Sequence, residues 1–143
     1  MSQDLLKGLK EKLDDDIYLR NSNDSVINTI KELDVYPSDE FIQFYLTYAG
    51  PFWEETLGLE LMDIIEDENN IYNSTLICRD EFGFDKKYLV LTVMSANEVI
   101  ILNSETDKVY RVNFEGDDEK LKNEELQETW NTFIDFIKEY FEC

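Results

Sequence analysis

The feature that most constrains the fold is a change in the spacing of apolar residues near position 88. Before it, apolar side chains recur at helical spacing, whereas residues 88–94 are almost continuously apolar and rich in β-branched and aromatic side chains. Such a run is typical of a strand buried on both faces. Two more apolar runs, at residues 98–102 and 108–114, each follow a short polar turn. The pattern predicts an antiparallel three-stranded meander.

Three helices are predicted before the meander, from apolar residues at helical spacing. Their inward faces are Leu5, Leu6, Leu9 and Leu13; Val26, Ile27, Ile30 and Leu33; and Phe41, Phe44, Tyr45 and Tyr48. Asn23 or Asp24 is expected to cap the second helix, and Ser38 the third, because short polar side chains accept hydrogen bonds from the free amides of a first turn. Gly50-Pro51 is expected to end the third helix.

The segment between the third helix and the meander is less regular. Residues 57–65 are compatible with a strand that runs into a turn or a short helix. Residues 67–81 predict a polar helix around Ile71, Leu76 and Ile77. Cys78 is expected to be buried as a small hydrophobic residue, and the terminal Cys143 to be exposed.

After the meander, an acidic loop is predicted from Gly116 to Glu119, followed by a closing helix. The apolar stripe of that helix comprises Leu126, Trp130, Phe133, Ile134, Ile137, Tyr140 and Phe141. Helices, then an antiparallel sheet, then a helix define an α+β fold class. A length of 143 residues favours one domain, over residues 1–143.

The charge balance excludes several functions. The chain has 33 acidic and 13 basic residues, a net charge of −20, and no histidine. Phosphate backbones and anionic membranes repel such a chain, so neither nucleic acid nor a membrane is an expected partner. Without histidine, a Ser-His-Asp triad, a Cys-His pair and a His-ligated zinc site are impossible. No apolar signal core or membrane-length run occurs, which favours a cytoplasmic location.

No catalytic, metal or cofactor motif is found. The acidic runs at residues 14–16 and 116–119 lack the alternating ligands and terminal glutamate of a calcium loop. A carboxylate-based hydrolase is a third alternative, but 33 acidic residues produce paired carboxylates by chance. We therefore expect no enzyme activity, no metal and no cofactor.

Two segments of the chain resemble the SUKH superfamily of the Smi/Knr type. They are Tyr36-Pro37-Ser38-Asp39-Glu40-Phe41 and Tyr48-Ala49-Gly50-Pro51-Phe52-Trp53, which are similar to the family's acidic-aromatic helix and small-residue turn. Leu89 to Asn103 and Trp130-Asn131-Thr132-Phe133 fit the later strand pair and closing helix, so the resemblance extends from about Asp24 onward. Many members have Asn-Gly-Gly where this chain has Tyr48-Ala49-Gly50.

The resemblance implies a SUKH-like binding module. Bacterial members are commonly immunity proteins that neutralise a polymorphic toxin, often a nuclease, whereas eukaryotic members resemble regulatory scaffolds of cell-wall synthesis or signalling. The expected partner is a cognate and basic toxin protein. A nuclease toxin carries a positive field that attracts phosphates, and the same field steers an acidic inhibitor to the toxin. The regulatory scaffold is kept as the alternative. A monomer and a weak dimer are both left open.

Candidate contact residues are acidic side chains on predicted loops and aromatic side chains near them. Loops on a rigid scaffold often carry function, and exposed aromatics often anchor interfaces. The set is Glu66, Asp67 and Glu68; Asp80, Glu81 and Asp85; Asp117, Asp118 and Glu119; and the aromatics Phe52, Trp53 and Tyr72.

Overall fold

The computed structural model describes residues 3–20 and 24–143. Its elements, in chain order, are α1 (Gln3–Lys12), a short 3₁₀ helix (Asp16–Tyr18), α2 (Asp24–Leu33), α3 (Asp39–Thr47), α4 (Ile71–Phe82), β1 (Tyr88–Val90), β2 (Glu98–Asn103), β3 (Val109–Asn113), α5 (Asp117–Lys122) and α6 (Phe133–Phe141). Helices precede and follow a three-stranded antiparallel sheet, which confirms the predicted α+β class. Among these residues, no helix has the length and apolar character needed to cross a bilayer.

The sheet is a meander in which β2 pairs with both neighbours, as predicted. Ile101 of β2 lies opposite Tyr110 of β3. The β1–β2 turn holds Ala96 and Asn97 at φ values of 52° and 62°. This is the backbone of a two-residue hairpin turn whose twist matches that of the strands it joins.

The strand β1 is shorter than predicted and ends before Thr92. The hydroxyl oxygen of Thr92 accepts a hydrogen bond from Ile100 N at 2.9 Å, in place of a backbone carbonyl. Beyond this point the chain pairs through single bridges, from Thr92 to Leu61 and from Leu61 to Phe52. The strand considered within residues 57–65 is therefore reduced to one bridging residue.

The N-terminal helices turn most of their predicted apolar faces inward. Leu5 and Leu9 of α1 and Val26 of α2 are buried. Two of the predicted inward residues are more exposed, since Leu6 is 41% exposed and Ile27 is half-buried.

Of the predicted helix caps that the structure describes, one is confirmed and one is wrong. Ser38 caps α3, because its hydroxyl accepts a hydrogen bond from Phe41 N at 3.3 Å. Asp24 is the first residue of α2 rather than its cap. The other candidate cap, Asn23, lies outside the described residues.

The centre of the core is the contact between α3 and α6. Phe41 and Phe44 of α3 place their ring centroids 5.1 Å and 5.8 Å from that of Phe133 in α6. Burying a large apolar side chain contributes about 1.5–3 kcal/mol. The predicted aromatic face of α3 is confirmed as core.

The closing helix begins later than predicted. Thr132 caps α6, since its hydroxyl accepts a hydrogen bond from Asp135 N at 3.1 Å. Leu126 and Trp130, assigned to the helical stripe from their spacing, lie before this cap. Trp130 instead pairs through its backbone with Val109 of β3.

The predicted acidic loop at residues 116–119 is wrong, because Asp117–Lys122 form α5. Acidic side chains in its first turn and Lys120 and Lys122 in its last turn complement the helix dipole. Leu121 is buried beneath the helix. The acidic residues therefore lie on a helix and not on a loop.

A buried ion pair fixes the chain that leads from α3 to α4. The side chains of Arg20 and Asp63 are 3% and 0% exposed and form a salt bridge. The Asp63 carboxylate also accepts hydrogen bonds from backbone amides, including Gly50 N at 3.0 Å and Glu66 N at 2.9 Å. Arg20 in turn donates to Tyr48 O at 3.2 Å, at the end of α3. Both charges therefore have polar partners, as buried charges require.

Candidate protein-interaction surface

Two of the three predicted acidic groups lie together at the C-terminal end of α4. The rings of Phe82, in α4, and Phe114, just before α5, are 4.9 Å apart. Lys122 of α5 donates a hydrogen bond to Phe82 O at 3.1 Å. These contacts join the two groups into one surface, which we call the α4–α5 patch: Asp80, Glu81, Asp85, Asp117, Asp118 and Glu119.

The third acidic group, residues 66–68, lies at the other end of α4. A helix of 12 residues is about 18 Å long, so this group is separated from the patch by roughly that distance. Asn70 holds the loop, because its amide donates to Ile65 O at 3.1 Å and to Asp67 O at 3.0 Å. Glu66, Asp67 and Glu68 are exposed, but they are not part of the same contact surface.

The outward face of α4 carries two aliphatic residues that sequence reasoning placed inside. Leu76 is 39% exposed and Ile77 is 52% exposed, whereas Ile71, Thr75 and Cys78 face the core. The exposure of Leu76 and Ile77 could have been predicted from their helical spacing. Residues 71, 75 and 78 share one helical face, and residues 76 and 77 then fall on the other.

Asp80 and Glu81 occupy an electrostatically unfavourable position. They lie in the last turn of α4, and the C-terminal end of a helix carries partial negative charge that disfavours an acid by about 0.3–1 kcal/mol. The basic residue of that turn is engaged elsewhere, since Arg79 Nη2 donates to Leu33 O at 2.8 Å and to Lys86 O at 2.7 Å. Lys122 of α5 supplies one positive charge at this end of α4, through its bond to Phe82 O.

The α5 half of the patch is partly neutralised. Glu119 forms an ion pair with Lys122 at 3.0 Å, and Asp117 accepts a hydrogen bond from Asn113 N at 3.4 Å. Over residues 80–87 and 115–125 together, nine acidic residues face four basic ones. The surface as a whole therefore keeps an excess of negative charge.

The three predicted aromatic anchors have different surroundings. Phe52 is 1% exposed and stacks on Tyr18 at 5.7 Å, so its predicted exposure is wrong. Its backbone pairs with Leu61, which draws the ring into the core. Trp53 is 59% exposed, but it lies beside Glu142 at the end of α6 and not at the patch.

Tyr72, the third predicted anchor, is half-buried in the first turn of α4. Its hydroxyl donates a hydrogen bond to the carboxylate of Glu32, and this bond raises the pKa of Tyr72. The residue thus links α4 to α2.

Negative charge alone does not locate a site on this molecule. Exposed acids also lie on α1, α2, α3 and α6, among them Glu11, Glu32, Asp39 and Glu139. In the α4–α5 patch, Asp80 and Glu81 lie one helical turn beyond the exposed Leu76 and Ile77. A charged rim beside apolar side chains is the usual anatomy of a protein interface.

Within residues 3–20 and 24–143, no cluster of three or more Cys, Asp and Glu side chains is placed to hold a metal ion. Cys78 is buried and Cys143 is exposed, as predicted. Burial raises the pKa of the Cys78 thiol to about 11, so this sulfur stays protonated and a poor nucleophile at neutral pH.

Comparison with curated proteins finds no match. A family model does match: that of the SMI1 / KNR4 family (SUKH-1), over residues 21–139. This range contains residues 36–41, 48–53, 89–103 and 130–133, on which the resemblance rests. The chain therefore belongs to the SMI1 / KNR4 family (SUKH-1).

Proposed function

We propose that this protein is an immunity protein that binds a basic toxin domain through the α4–α5 patch and denies the toxin its substrate. Membership of the SMI1 / KNR4 family supports a binding module of this general kind. The net charge of −20 supports a positively charged protein partner, since opposite charges raise the rate of encounter.

The observation that carries the proposal is the position of Asp80 and Glu81 beside Leu76 and Ile77. The two acids oppose the dipole of α4 and have no basic side chain of their own turn as partner. The two aliphatic residues expose apolar surface where solvation is unfavourable. A partner that presents Lys or Arg next to apolar side chains would relieve both costs at once.

The inhibition follows from the electrostatics of the target. A nuclease toxin needs a basic cleft to attract phosphates. An acidic surface is drawn to that cleft by the same field, and once docked it occupies the space that the nucleic acid requires. The apolar contacts of Leu76 and Ile77 then slow dissociation, because affinity differences lie mostly in the off-rate.

The test is a growth assay with a toxin domain encoded by a neighbouring gene. The domain is expressed from an inducible promoter, together with the wild-type chain or with the D80K/E81K variant. We expect the wild-type chain to restore growth and the variant to restore it poorly or not at all. Failure of the wild-type chain against every toxin domain encoded beside it overturns the proposal and leaves the regulatory scaffold as the better account.

The matched control is the E11K/E139K variant. Glu11 and Glu139 are exposed and lie in the last turns of α1 and α6, as Asp80 and Glu81 do in α4. The two variants therefore change the same charge in the same helical context, but α1 and α6 contribute no residue to the patch. We expect E11K/E139K to rescue growth like the wild-type chain, and equal loss in both variants would contradict a role for the patch.

A further inference from the structure

A second part of the surface, an open depression at the start of α2, takes no part in the function proposed so far. We call it the Ile17 depression, and it has a volume of about 330 Å³. Ligand pockets range from about 300 to 1,000 Å³, so it has room for one or two side chains. The lining residues that matter for its chemistry are Ile17, Leu19, Arg20, Ser25, Ile65 and Glu66.

Two of these side chains are aliphatic and stand in solvent. Ile17 is 71% exposed and Leu19 is 48% exposed. Tyr18, between them, packs inward with its ring 5.7 Å from that of Phe52. Ile65 is half-buried and lines the same depression, so the exposed aliphatic residues are grouped rather than scattered. Grouped apolar side chains on a surface often mark a place that another molecule covers.

The backbone holds Ile17 and Leu19 in this outward orientation. Ala49 N donates a hydrogen bond to Tyr18 O at 2.8 Å, and Arg20 N donates to Thr47 O at 3.1 Å. Residues 18–20 are therefore tied to the end of α3 and the chain that follows it. Because the aliphatic side chains are carried on a fixed segment, a partner that covers them loses little of its binding free energy to ordering this chain.

The rim of the Ile17 depression is acidic. Residues 14–16, all Asp, directly precede Ile17, and Glu66 lines the depression with Asp67 and Glu68 after it. All six acids are exposed. In the part of the chain that the structure describes, none of the six forms a salt bridge. Their negative charge is therefore not matched within the molecule.

The positive groups at the depression are already countered. Among the described residues that line it, only Arg20 is basic. Its side chain is 3% exposed, and its charge is matched by Asp63. The N-terminal end of α2 carries a partial positive charge, and Asp24 in the first turn compensates that charge. The six rim acids therefore give the depression a net negative charge.

The lining and the rim together argue for one kind of occupant. A second copy of this chain is a poor candidate, because it brings the same acidic rim and both copies carry a charge of −20. A neutral or acidic segment leaves the rim unmatched. A segment that carries an apolar side chain between Lys or Arg residues matches both the aliphatic lining and the acidic rim.

We propose that the Ile17 depression receives an apolar side chain of the basic partner, with flanking Lys or Arg side chains that meet residues 14–16 and 66–68. This inference deepens the proposed function and rests on it, because the partner is taken to be the same protein. Residues 66–68 lie about 18 Å from the α4–α5 patch, at the other end of α4. An interface of about 800 Å² per partner is wide enough to cover both surfaces.

The first test titrates three short peptides into ¹⁵N-labelled protein and follows the amide shifts. The peptides are acetyl-Arg-Leu-Arg-amide, acetyl-Arg-Ser-Arg-amide and acetyl-Glu-Leu-Glu-amide. We expect the first to shift the amides of Ile17, Leu19 and Ile65. It should bind about tenfold more tightly than the other two, because they lack either the apolar side chain or the cations. Equal binding of the first peptide and either of the others overturns the inference.

Two variants of the depression locate the contact. Ile17→Ser removes an exposed aliphatic side chain, and E66K/E68K reverses the charge of two exposed acids at the rim. We expect each variant to weaken the first peptide about tenfold. Thermal unfolding verifies that both variants are folded. Unchanged affinity in either variant overturns the inference.

Each variant has a matched control. Tyr36→Ser also removes an exposed side chain, but Tyr36 lies beyond the other end of α2, which is about 15 Å long. E11K/E139K makes the same change in net charge as E66K/E68K, on α1 and α6. We expect both controls to bind the first peptide like the wild-type chain. A loss in a control that equals the loss in its partner variant contradicts binding in the Ile17 depression.

The remaining outcomes separate this inference from the proposed function. Shifts confined to the α4–α5 patch overturn the inference and leave the patch intact, and so does full rescue of growth by E66K/E68K. Concentration-dependent shifts of the depression amides without peptide assign the depression to a second copy and also overturn the inference. A peptide that binds the depression of a chain that rescues no toxin overturns the immunity role alone.

Discussion

At the scale of single residues, the hydroxyl of Tyr140 holds the irregular segment between α3 and α4 against α6. Its oxygen accepts a hydrogen bond from Leu61 N at 3.1 Å, and it lies 2.9 Å from Leu59 O and 3.0 Å from Phe52 O, to one of which it donates. Tyr140 is fully buried. One side chain therefore satisfies the backbone of a segment that has no regular ladder of its own.

Replacing Tyr140 by phenylalanine is expected to lower the free energy of unfolding by about 1–3 kcal/mol, because a buried carbonyl loses its donor. Urea denaturation of the two proteins measures the difference. Tyr36→Phe is the matched control, since the Tyr36 side chain is 88% exposed and its hydroxyl is solvated. An equal loss of stability in both variants would contradict the structural role of the Tyr140 hydroxyl.

The same residue predicts a pH dependence. Burial raises the pKa of Tyr140 from 10.0 to about 12, so the unfolded chain releases this proton at lower pH than the folded one. Stability is fully present below pH 10.0 and is lost as the pH rises toward 12. Between about pH 9 and pH 11 this proton alone should cost about 1 kcal/mol. We expect Tyr140→Phe to lack this part of the alkaline loss and Tyr36→Phe to retain it.

The buried pair of Arg20 and Asp63 leads to a second prediction at this scale. Asp63→Asn leaves the Arg20 guanidinium buried without its counter-charge, and it should cost about 3–5 kcal/mol. Asp34→Asn breaks the exposed pair with Lys86 and should leave the free energy of unfolding almost unchanged, because solvent screens this pair. Chemical denaturation of both variants provides the comparison. Similar losses would mean that Arg20 and Asp63 do not act as a desolvated pair.

At the scale of elements, α4 combines a structural face with the proposed binding face. If Asp80 and Glu81 are retained for binding, replacing them should stabilise α4. We expect D80K/E81K to raise the free energy of unfolding by about 0.5–2 kcal/mol, because lysine suits the negative end of the dipole. Thermal and urea unfolding test this, and a destabilised variant would contradict the assignment of these acids to function rather than to folding.

An element can be predicted from the sequence when the residues that determine it lie close together in the chain. The meander was predictable because β-branched runs and short polar turns are local signals, and α3 because Ser38 marks its start. The helix α5 was not, since it has six residues and is held by distant contacts, such as the bond from the Tyr88 hydroxyl to Leu121 O at 3.2 Å. Trp130 has helical spacing from Phe133, yet the cap at Thr132 separates them.

The candidate surface was only partly predictable for a related reason. The acidic groups are visible in the sequence, but their grouping depends on Phe82 meeting Phe114. The run Leu76-Ile77-Cys78 was read as uniformly apolar. Three consecutive helical residues cannot share one face, so part of this run had to point outward. Phe52 was misassigned because its burial depends on the bridge to Leu61.

At the scale of the whole molecule, the charge of −20 attracts a basic partner from every direction. In the proposed function, this long-range attraction sets the rate of encounter, and the α4–α5 patch decides where the partner binds. The two effects can be separated. Each replacement of an acid by lysine adds two positive charges, so D80K/E81K and E11K/E139K both carry −16 and should be steered alike.

The most direct test is the dissociation constant of a purified toxin domain encoded by a neighbouring gene, the partner that the proposed function requires. It is measured at ~50 mM and ~500 mM NaCl for the wild-type chain and both lysine variants. We predict that high salt weakens wild-type binding about tenfold or more, that D80K/E81K loses about tenfold or more at either salt, and that E11K/E139K binds like wild type. Affinity that is independent of salt, or equal in the two variants, would contradict capture through the α4–α5 patch.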